Sequence, residues 1–271
     1  MKTTSAIKIE KFRAKVGPLI DIRSPKEFSH GHWPSAINLP LFSDEEREEV
    51  GKAYKQEGRH KAILLGVKFT GPKLERIINT LFDISQKNKG PNSKFSTNLI
   101  RIYCWRGGMR SSAISWLANL YGLKSTRLYG GYKAYRNWVL KQFEKKWKLQ
   151  LLGGRTGTGK TEILKALERI GESVIDLEDL ANHRGSSFGG IGKGQQPSNE
   201  QYENNLAETL KSLLEKSDRR IWLEDESPNL GKCRIPKGLF DQMKKAPVIE
   251  ITRSYKERIN RLVNIYSIYK K

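Results

Sequence analysis

The chain has 271 residues, 37% hydrophobic and 29% charged, which is enough apolar material for a packed core and excludes disorder throughout. Lys and Arg number 50 against 29 Asp and Glu, and the resulting formal charge of +21 points to a polyanionic partner, nucleic acid first, because counterion release rewards such a surface. Two cysteines, Cys104 and Cys233, and four histidines without metal-ligand spacing exclude a disulfide framework and a zinc site, and no run reaches the roughly 18 apolar residues of a membrane span.

The N-terminal MKTTSAIKIEKFRAK is charged throughout and lacks an apolar leader core, so a soluble, cytoplasmic protein is expected. Residues 17–22 (GPLIDI) read as a buried strand. Ser24-Pro25-Lys26-Glu27 then supplies an N-cap, a proline at the first helical position and a glutamate at the third. A second strand is expected at 36–39. A helix opens on the acidic run 44–49, and more helix runs through 64–81, interrupted by Gly71-Pro72, with Leu74, Ile77, Ile78 and Leu81 on one face. The polar segment 87–97 reads as a loop. Residues 98–103 form the next strand, followed by a helix that buries Ile114, Leu117, Ala118 and Tyr121. A short strand at 127–129 turns through Gly130-Gly131 into a helix ending near Lys146.

A second unit opens near Trp147 with a strand at 148–152, a loop at 153–159 and a helix at 160–170 carrying Ile163, Leu164, Leu167 and Ile170. A strand is expected at 173–176. Five glycines between His183 and Gln196 read as a mobile loop. Ser198 and Gln201 form a further capping box ahead of Leu206, Leu210, Leu213 and Leu214. Strands at 220–223 and 247–251 precede a basic terminal helix. Strands alternating with helices place both halves in the α/β class with mainly parallel sheets.

The segment YCWRGGMRSS sets a thiol, Cys104, at the end of a strand, before a glycine-containing turn and a helix. The backbone N–H groups of Trp105, Arg106, Gly107, Gly108, Met109 and Arg110 can form an anion cradle there. The helix N-terminus and the two arginines would add positive potential that stabilises a thiolate or a persulfide or selenide carried on the sulfur. With DIRSPKEFSHGHWPSAINLP at 21–40, this segment resembles the rhodanese family over about residues 10–145. That resemblance implies Cys104 as the catalytic residue and a structural role for His32. Cys233, with no cradle and no neighbouring histidine, is assigned nothing.

GRTGTGKT fits the P-loop pattern in full, after an apolar strand and before a helix. Its residues Gly154, Arg155, Thr156, Gly157, Thr158, Gly159, Lys160 and Thr161 are the expected phosphate-binding set, with Lys160 on terminal phosphates and Thr161 available to Mg²⁺. Glu224 or Asp225, in EDES at the end of a later strand, is the candidate for positioning metal or water, and the sequence does not choose between them.

The expected architecture is a rhodanese-like parallel-sheet domain at 1–146 followed by a P-loop NTPase-like parallel-sheet domain at 147–271. In that combination the chain resembles the tRNA 2-selenouridine synthases, on CWRGGMRS, the P-loop, FGGIGKG at 188–194 and EDES. The resemblance implies a transferase that S-geranylates a wobble 2-thiouridine from geranyl diphosphate, then exchanges the geranylthio group for selenium from selenophosphate. Cys104 would handle the selenium, tRNA would be the partner, and no tightly bound cofactor is expected. The basic terminal helix, with Arg253, Arg258 and Arg261, is the expected RNA contact. Family members run beyond this length, so the P-loop domain is expected to be C-terminally shortened. Two other classes stay open: a sulfur-relay protein fused to an ATPase or small-molecule kinase, and a non-catalytic RNA-binding protein on a rhodanese scaffold.

Overall fold

A computed structural model describes residues 6–87, 99–185, 189–190, 192–216 and 220–267. Of the loop expected at 87–97, Lys87 closes a helix and the rest lies outside them, as do Phe188 and Ile191 of the glycine-rich stretch. The chain divides into two compact units, Met1–Trp138 and Val139–Lys271.

The first unit runs β1 (Ala6–Ile7), α1 (Ile9–Arg13), β2 (Leu19–Asp21), α2 (Pro25–His30), β3 (Ile37–Asn38), α3 (Asp44–Gln56), α4 (Arg59–Thr70), a 3-10 turn at Gly71–Lys73, α5 (Leu74–Lys87), β4 (Leu99–Tyr103), α6 (Met109–Leu120), β5 (Lys124–Leu128) and α7 (Gly131–Phe143), which crosses into the second unit. Its sheet has the order β1-β5-β4-β2-β3, parallel at every pairing. Capping boxes start α2 at Ser24 with Glu27 and α3 at Ser43 with Glu46. The break at Gly71-Pro72 falls where proline lacks the N–H a continuous helix needs.

Ile20, Ile22, Ile77, Ile78, Leu81, Ile100, Ile102, Ile114 and Ala118 form one apolar core around β4. Of the face expected on α6, Tyr121 is exposed and Leu117 only partly buried. Tyr121 lies one residue past the helix, edge-on to Phe82 at 5.8 Å. Ser111 and Ser115 take buried places instead, the latter 2.7 Å from the hydroxyl of Ser125. That hydroxyl pair also explains why β5 starts at Lys124, three residues before the expected strand. KSTRL shows no apolar run, yet its buried Ser125 hydroxyl has partners on Ser115 and Asn119.

The densest polar feature of this unit is the ion pair between Asp21, at the end of β2, and Arg23. Arg23 is 1% exposed, and its Nε and Nη2 donate to the Asp21 carboxylate at 2.6–3.1 Å. Nη2 also donates to Gly31 O at 2.7 Å, and the guanidinium lies 3.7 Å from the Tyr132 ring centroid. One side chain thereby ties β2, the turn after α2 and the start of α7 together. His32 fits the structural role expected of it, stacked on Phe28 with Nδ1 2.9 Å from Phe28 O.

The second unit continues with β6 (Leu149–Gly153), α8 (Lys160–Arg169), β7 (Ser173–Val174), α9 (Leu177–Leu180), α10 (Asn199–Lys216), β8 (Ile221–Glu224), β9 (Asn229–Leu230), β10 (Cys233–Arg234), α11 (Lys237–Met243), β11 (Val248–Glu250) and α12 (Tyr255–Ser267). A parallel sheet in the order β11-β6-β8-β7 carries the unit, and β9 and β10 pair as a separate antiparallel ribbon. Leu164, Leu206 and Leu210 are buried as expected, but Ile170 and Leu214 are exposed. Ile170 is the C-cap residue of α8, beyond the stretch that packs on the sheet. The short α9 and α11 and the ribbon carry too few periodic residues to be anticipated. Two glutamines anchor them. Gln242 on α11 bonds Phe143 O, Lys145 O and Trp147 N, and Gln196 bonds Ala181 O, Leu230 O and Lys232 N.

Replacing Asp21 by Ala leaves a buried, uncompensated guanidinium, which costs about 3–5 kcal/mol. Urea unfolding followed by tryptophan fluorescence should show that loss, and a change below about 1 kcal/mol would remove the pair from its organising role.

Candidate functional site

Cys104 directly follows β4, 2% exposed. Its Sγ donates to Ser111 Oγ at 3.4 Å, and that hydroxyl donates to Gly108 O at 3.1 Å. The start of α7 holds the loop backbone: Tyr132 N donates to Cys104 O at 2.8 Å and Lys133 N to Trp105 O at 3.0 Å. This close approach requires glycine at 131, whose φ is +57° and where a Cβ would fall 2.2 Å from Cys104 O. Arg106, Gly108 and Met109 are exposed, and Trp105, Gly107 and Arg110 half-buried. Arg110 Nη1 bonds Glu27 Oε2 at 3.1 Å, so its charge is shared with the carboxylate that also caps α2.

The P-loop follows β6. Lys160 Nζ donates to Gly154 O at 2.9 Å and lies 3.7 Å from Glu224 Oε2, while Thr161 Oγ1 donates to Glu224 Oε1 at 2.8 Å. Gly154, Gly157 and Gly159 all have positive φ, the conformation a phosphate-cradling loop requires. Thr158 is buried, and its hydroxyl donates to Arg155 O at 2.8 Å. Arg155 and Thr156 are exposed.

Strand geometry separates the two carboxylates that the sequence left equivalent. Successive side chains point to opposite sides, so Glu224 is 2% exposed against Lys160 and Thr161, whereas Asp225 is exposed. Two further acids escape sequence reasoning, Glu178 on α9 and Glu226, two residues past β8. One carboxylate oxygen from each of them and one from Glu224 lie within 4.8 Å of one another. A D-x-E pattern after the second strand (Asp176, Glu178) was the available signal. The same residues line a cavity of about 410 Å³ that also includes Lys160, Thr161, Lys193 and Arg261. Gly185, with φ +55°, passes so close that a Cβ there would lie 2.4 Å from Glu178 Oε1 and 2.7 Å from Glu226 Oε2. That gives one glycine of the glycine-rich stretch a physical reason.

Burial, then repulsion from Glu224, Glu226 and Asp176, pushes Glu178 up to about 8. Burial and Glu224 push Glu226 up to about 7. Burial raises Glu224 as well, opposed by the Thr161 hydrogen bond and Lys160. Three crowded carboxylates beside a threonine hydroxyl suit a hard divalent cation, which would relieve their repulsion, so the donor set fits Mg²⁺.

The arginines of the chain end meet the P-loop. Arg253 Nε donates to Thr158 O at 2.8 Å, Arg258 Nε to Thr156 O at 3.0 Å, and Arg261 Nη2 pairs with Glu162 Oε1 at 2.6 Å.

A parallel sheet ending in a cysteine loop, and a second ending in a complete P-loop, define a rhodanese-like domain followed by a P-loop domain. Residues 6–137 match the family model of the rhodanese-like domain, and residues 147–271 match that of the tRNA 2-selenouridine synthase AAA domain. Proteins named tRNA 2-selenouridine synthase are similar throughout: one from a Sulfurovum species is 42% identical over 89% of this chain and 64% of its own length. Those from Pseudomonas fluorescens and Bordetella petrii are 38% and 39% identical over 93% of this chain, and 66% and 65% of their own. The chain is thus similar to the tRNA 2-selenouridine synthases over nearly all of its length and spans just under two thirds of the length of these relatives. Among the described residues no helix is long and apolar enough to cross a membrane.

The carboxylate cluster makes a pH prediction. Glu178 and Glu226 keep their protons in the folded protein to about pH 8 and 7, but ionise near 4.5 when unfolded. The folded state binds more protons between these values, so their contribution to stability is full below pH 4.5 and is lost as pH rises to about 8. Between pH 5.5 and 8.5 the wild type should lose about 1–2 kcal/mol more than Glu178→Gln, after allowance for solvent screening. Parallel pH profiles in thermal denaturation would contradict this.

Proposed function

We propose that the chain converts wobble 2-thiouridine in tRNA to 2-selenouridine through an S-geranylated intermediate, with geranyl diphosphate and selenophosphate as donors, in the cytoplasm. The observation carrying the reading is the P-loop cavity: Lys160 and the loop amides offer a diphosphate seat that Glu178 and Glu226 border with proton-exchanging carboxylates. The name shared by the relatives supports tRNA as substrate, and the +21 charge supplies the electrostatic attraction.

Geranyl transfer forms a bond from the thione sulfur to the prenyl carbon and releases diphosphate. The base must also lose its ring N–H proton. Lys160 and the loop would take the growing charge on the diphosphate, and Glu178 or Glu226, in its ionised form, would accept the proton. Thr161 and Glu224 would hold a magnesium ion, which when bound adds positive charge beside the leaving group. Alkylation turns a thiocarbonyl sulfur into a good leaving group, so a selenium nucleophile can then displace geranylthiolate at the same ring carbon. Cys104 would position that selenium while it is still bonded to its phosphate; geranylthiolate leaves as the selenium–carbon bond forms, and water then cleaves the selenium–phosphorus bond to release phosphate. The Cys104 thiol is oriented by Ser111, and the loop around it must open for the base to reach it, since Cys104 is buried.

The test is incubation of the protein with 2-thiouridine tRNA, geranyl diphosphate, selenophosphate and Mg²⁺, with mass analysis of the digested nucleosides. The expected product is 2-selenouridine. Cys104→Ala should accumulate the geranylated base, and Lys160→Ala should lower its formation by about 100-fold or more. ATP consumption without tRNA, and no modified nucleoside, would overturn the reading in favour of a sulfur-relay kinase or ATPase.

A further inference from the structure

The chain end approaches the P-loop in a way that assigns work to three arginines. In a trans peptide the C=O of one residue and the N–H of the next point in opposite directions. Arg258 Nε holds Thr156 O at 3.0 Å and Arg253 Nε holds Thr158 O at 2.8 Å, which turns the N–H groups of Gly157 and Gly159 the other way. Alternate carbonyls are thus fixed on one side of the loop and alternate amide donors on the other, the arrangement of an anion nest. The backbone of α12 is pressed onto the same turn, since a Cβ on Gly157 would meet Arg258 O at 2.9 Å.

Arg261 stands differently. Its guanidinium lies over the residue preceding Lys160, because a Cβ on Gly159 would sit 3.1 Å from Nη2. It lines the cavity that Lys160 and Thr161 line. One arm is held by Glu162 at 2.6 Å, but Nε, shielded from solvent, has no hydrogen-bond partner among the described residues. Glu162 is 59% exposed, and an ion pair with so exposed a partner is weak. A phosphate, with several charged acceptor oxygens, matches the guanidinium fork better than one water-exposed carboxylate.

We propose that Arg261 is an anion-responsive ligand: it exchanges Glu162 for a terminal oxygen of a diphosphate on the loop, while Arg253 and Arg258 act as positioning residues that pre-set the loop amides. This rests on the reading of residues 154–161 as a diphosphate seat and adds to it a second cation, from the chain end, and a competing carboxylate, Glu162. Docking of α12 and occupancy of the loop are thereby coupled, each favouring the other by linkage.

Isothermal titration of the 271-residue protein with inorganic pyrophosphate and Mg²⁺ tests it. Arg261→Ala should weaken binding about 10-fold, and Glu162→Gln, which removes the competitor, should tighten it about 2- to 5-fold. The double variant should behave as Arg261→Ala alone. A purely structural ion pair predicts instead that both single variants change affinity in the same direction, or not at all, and either result overturns the exchange. Glu162→Gln alters an exposed surface position, so its sign remains decisive if Arg261→Ala folds poorly. Absence of pyrophosphate binding by the wild type overturns the diphosphate seat together with the exchange. Wild-type binding that Lys160→Ala abolishes but Arg261→Ala leaves unchanged overturns only the role of Arg261.

Discussion

Parallel strand pairing is the constraint on which both sites depend. β4 lies between β2 and β5, and β6 between β11 and β8, and every pairing in these two sheets runs the same way. Parallel strands cannot be joined by tight hairpins, so each strand end must discharge into a loop that turns into a helix. The carboxyl ends of neighbouring strands therefore share one edge with helix N-termini, where backbone N–H groups are left over. Cys104 after β4 and Gly154 after β6 are two uses of that edge, one carrying a thiol and the other a row of backbone donors.

The two units treat buried charge in opposite ways. Asp21 and Arg23 satisfy each other with several hydrogen bonds, leaving a closed pair that orders the chain around it. At the P-loop, Glu224 has Lys160 and Thr161, but Glu178 and Glu226 meet mainly other carboxylates, and their protons are held to near neutral pH. A cluster of that kind costs stability, and it stands beside the phosphate loop, lining the same cavity as Lys160 and Thr161.

The large positive charge is not all of one kind. Arg253, Arg258 and Arg261 look from the sequence like a basic helix waiting for RNA, yet all three are engaged at the phosphate loop. Charge counted along a chain predicts attraction to a polyanion, but it does not say which cations are already occupied by carbonyls and carboxylates of their own fold.

Most of what recognition needs was legible in local pattern. The capping box at Ser24, the cap by which Ser198 Oγ accepts from Gln201 N, the break at Gly71-Pro72, the strand before Cys104 and the full P-loop all rest on interactions within a few residues, so the sequence alone determined them. The partners that complete the sites were not legible. Glu178 is 46 residues from Glu224, Arg258 lies 102 residues from Thr156, and Glu27 is 83 residues from Arg110. Local spacing could not choose between Glu224 and Asp225 either, because the choice is which side of β8 faces Lys160. Those decisions belonged to the tertiary structure, since burial, strand register and the crowding of like charges exist only once distant segments are packed together.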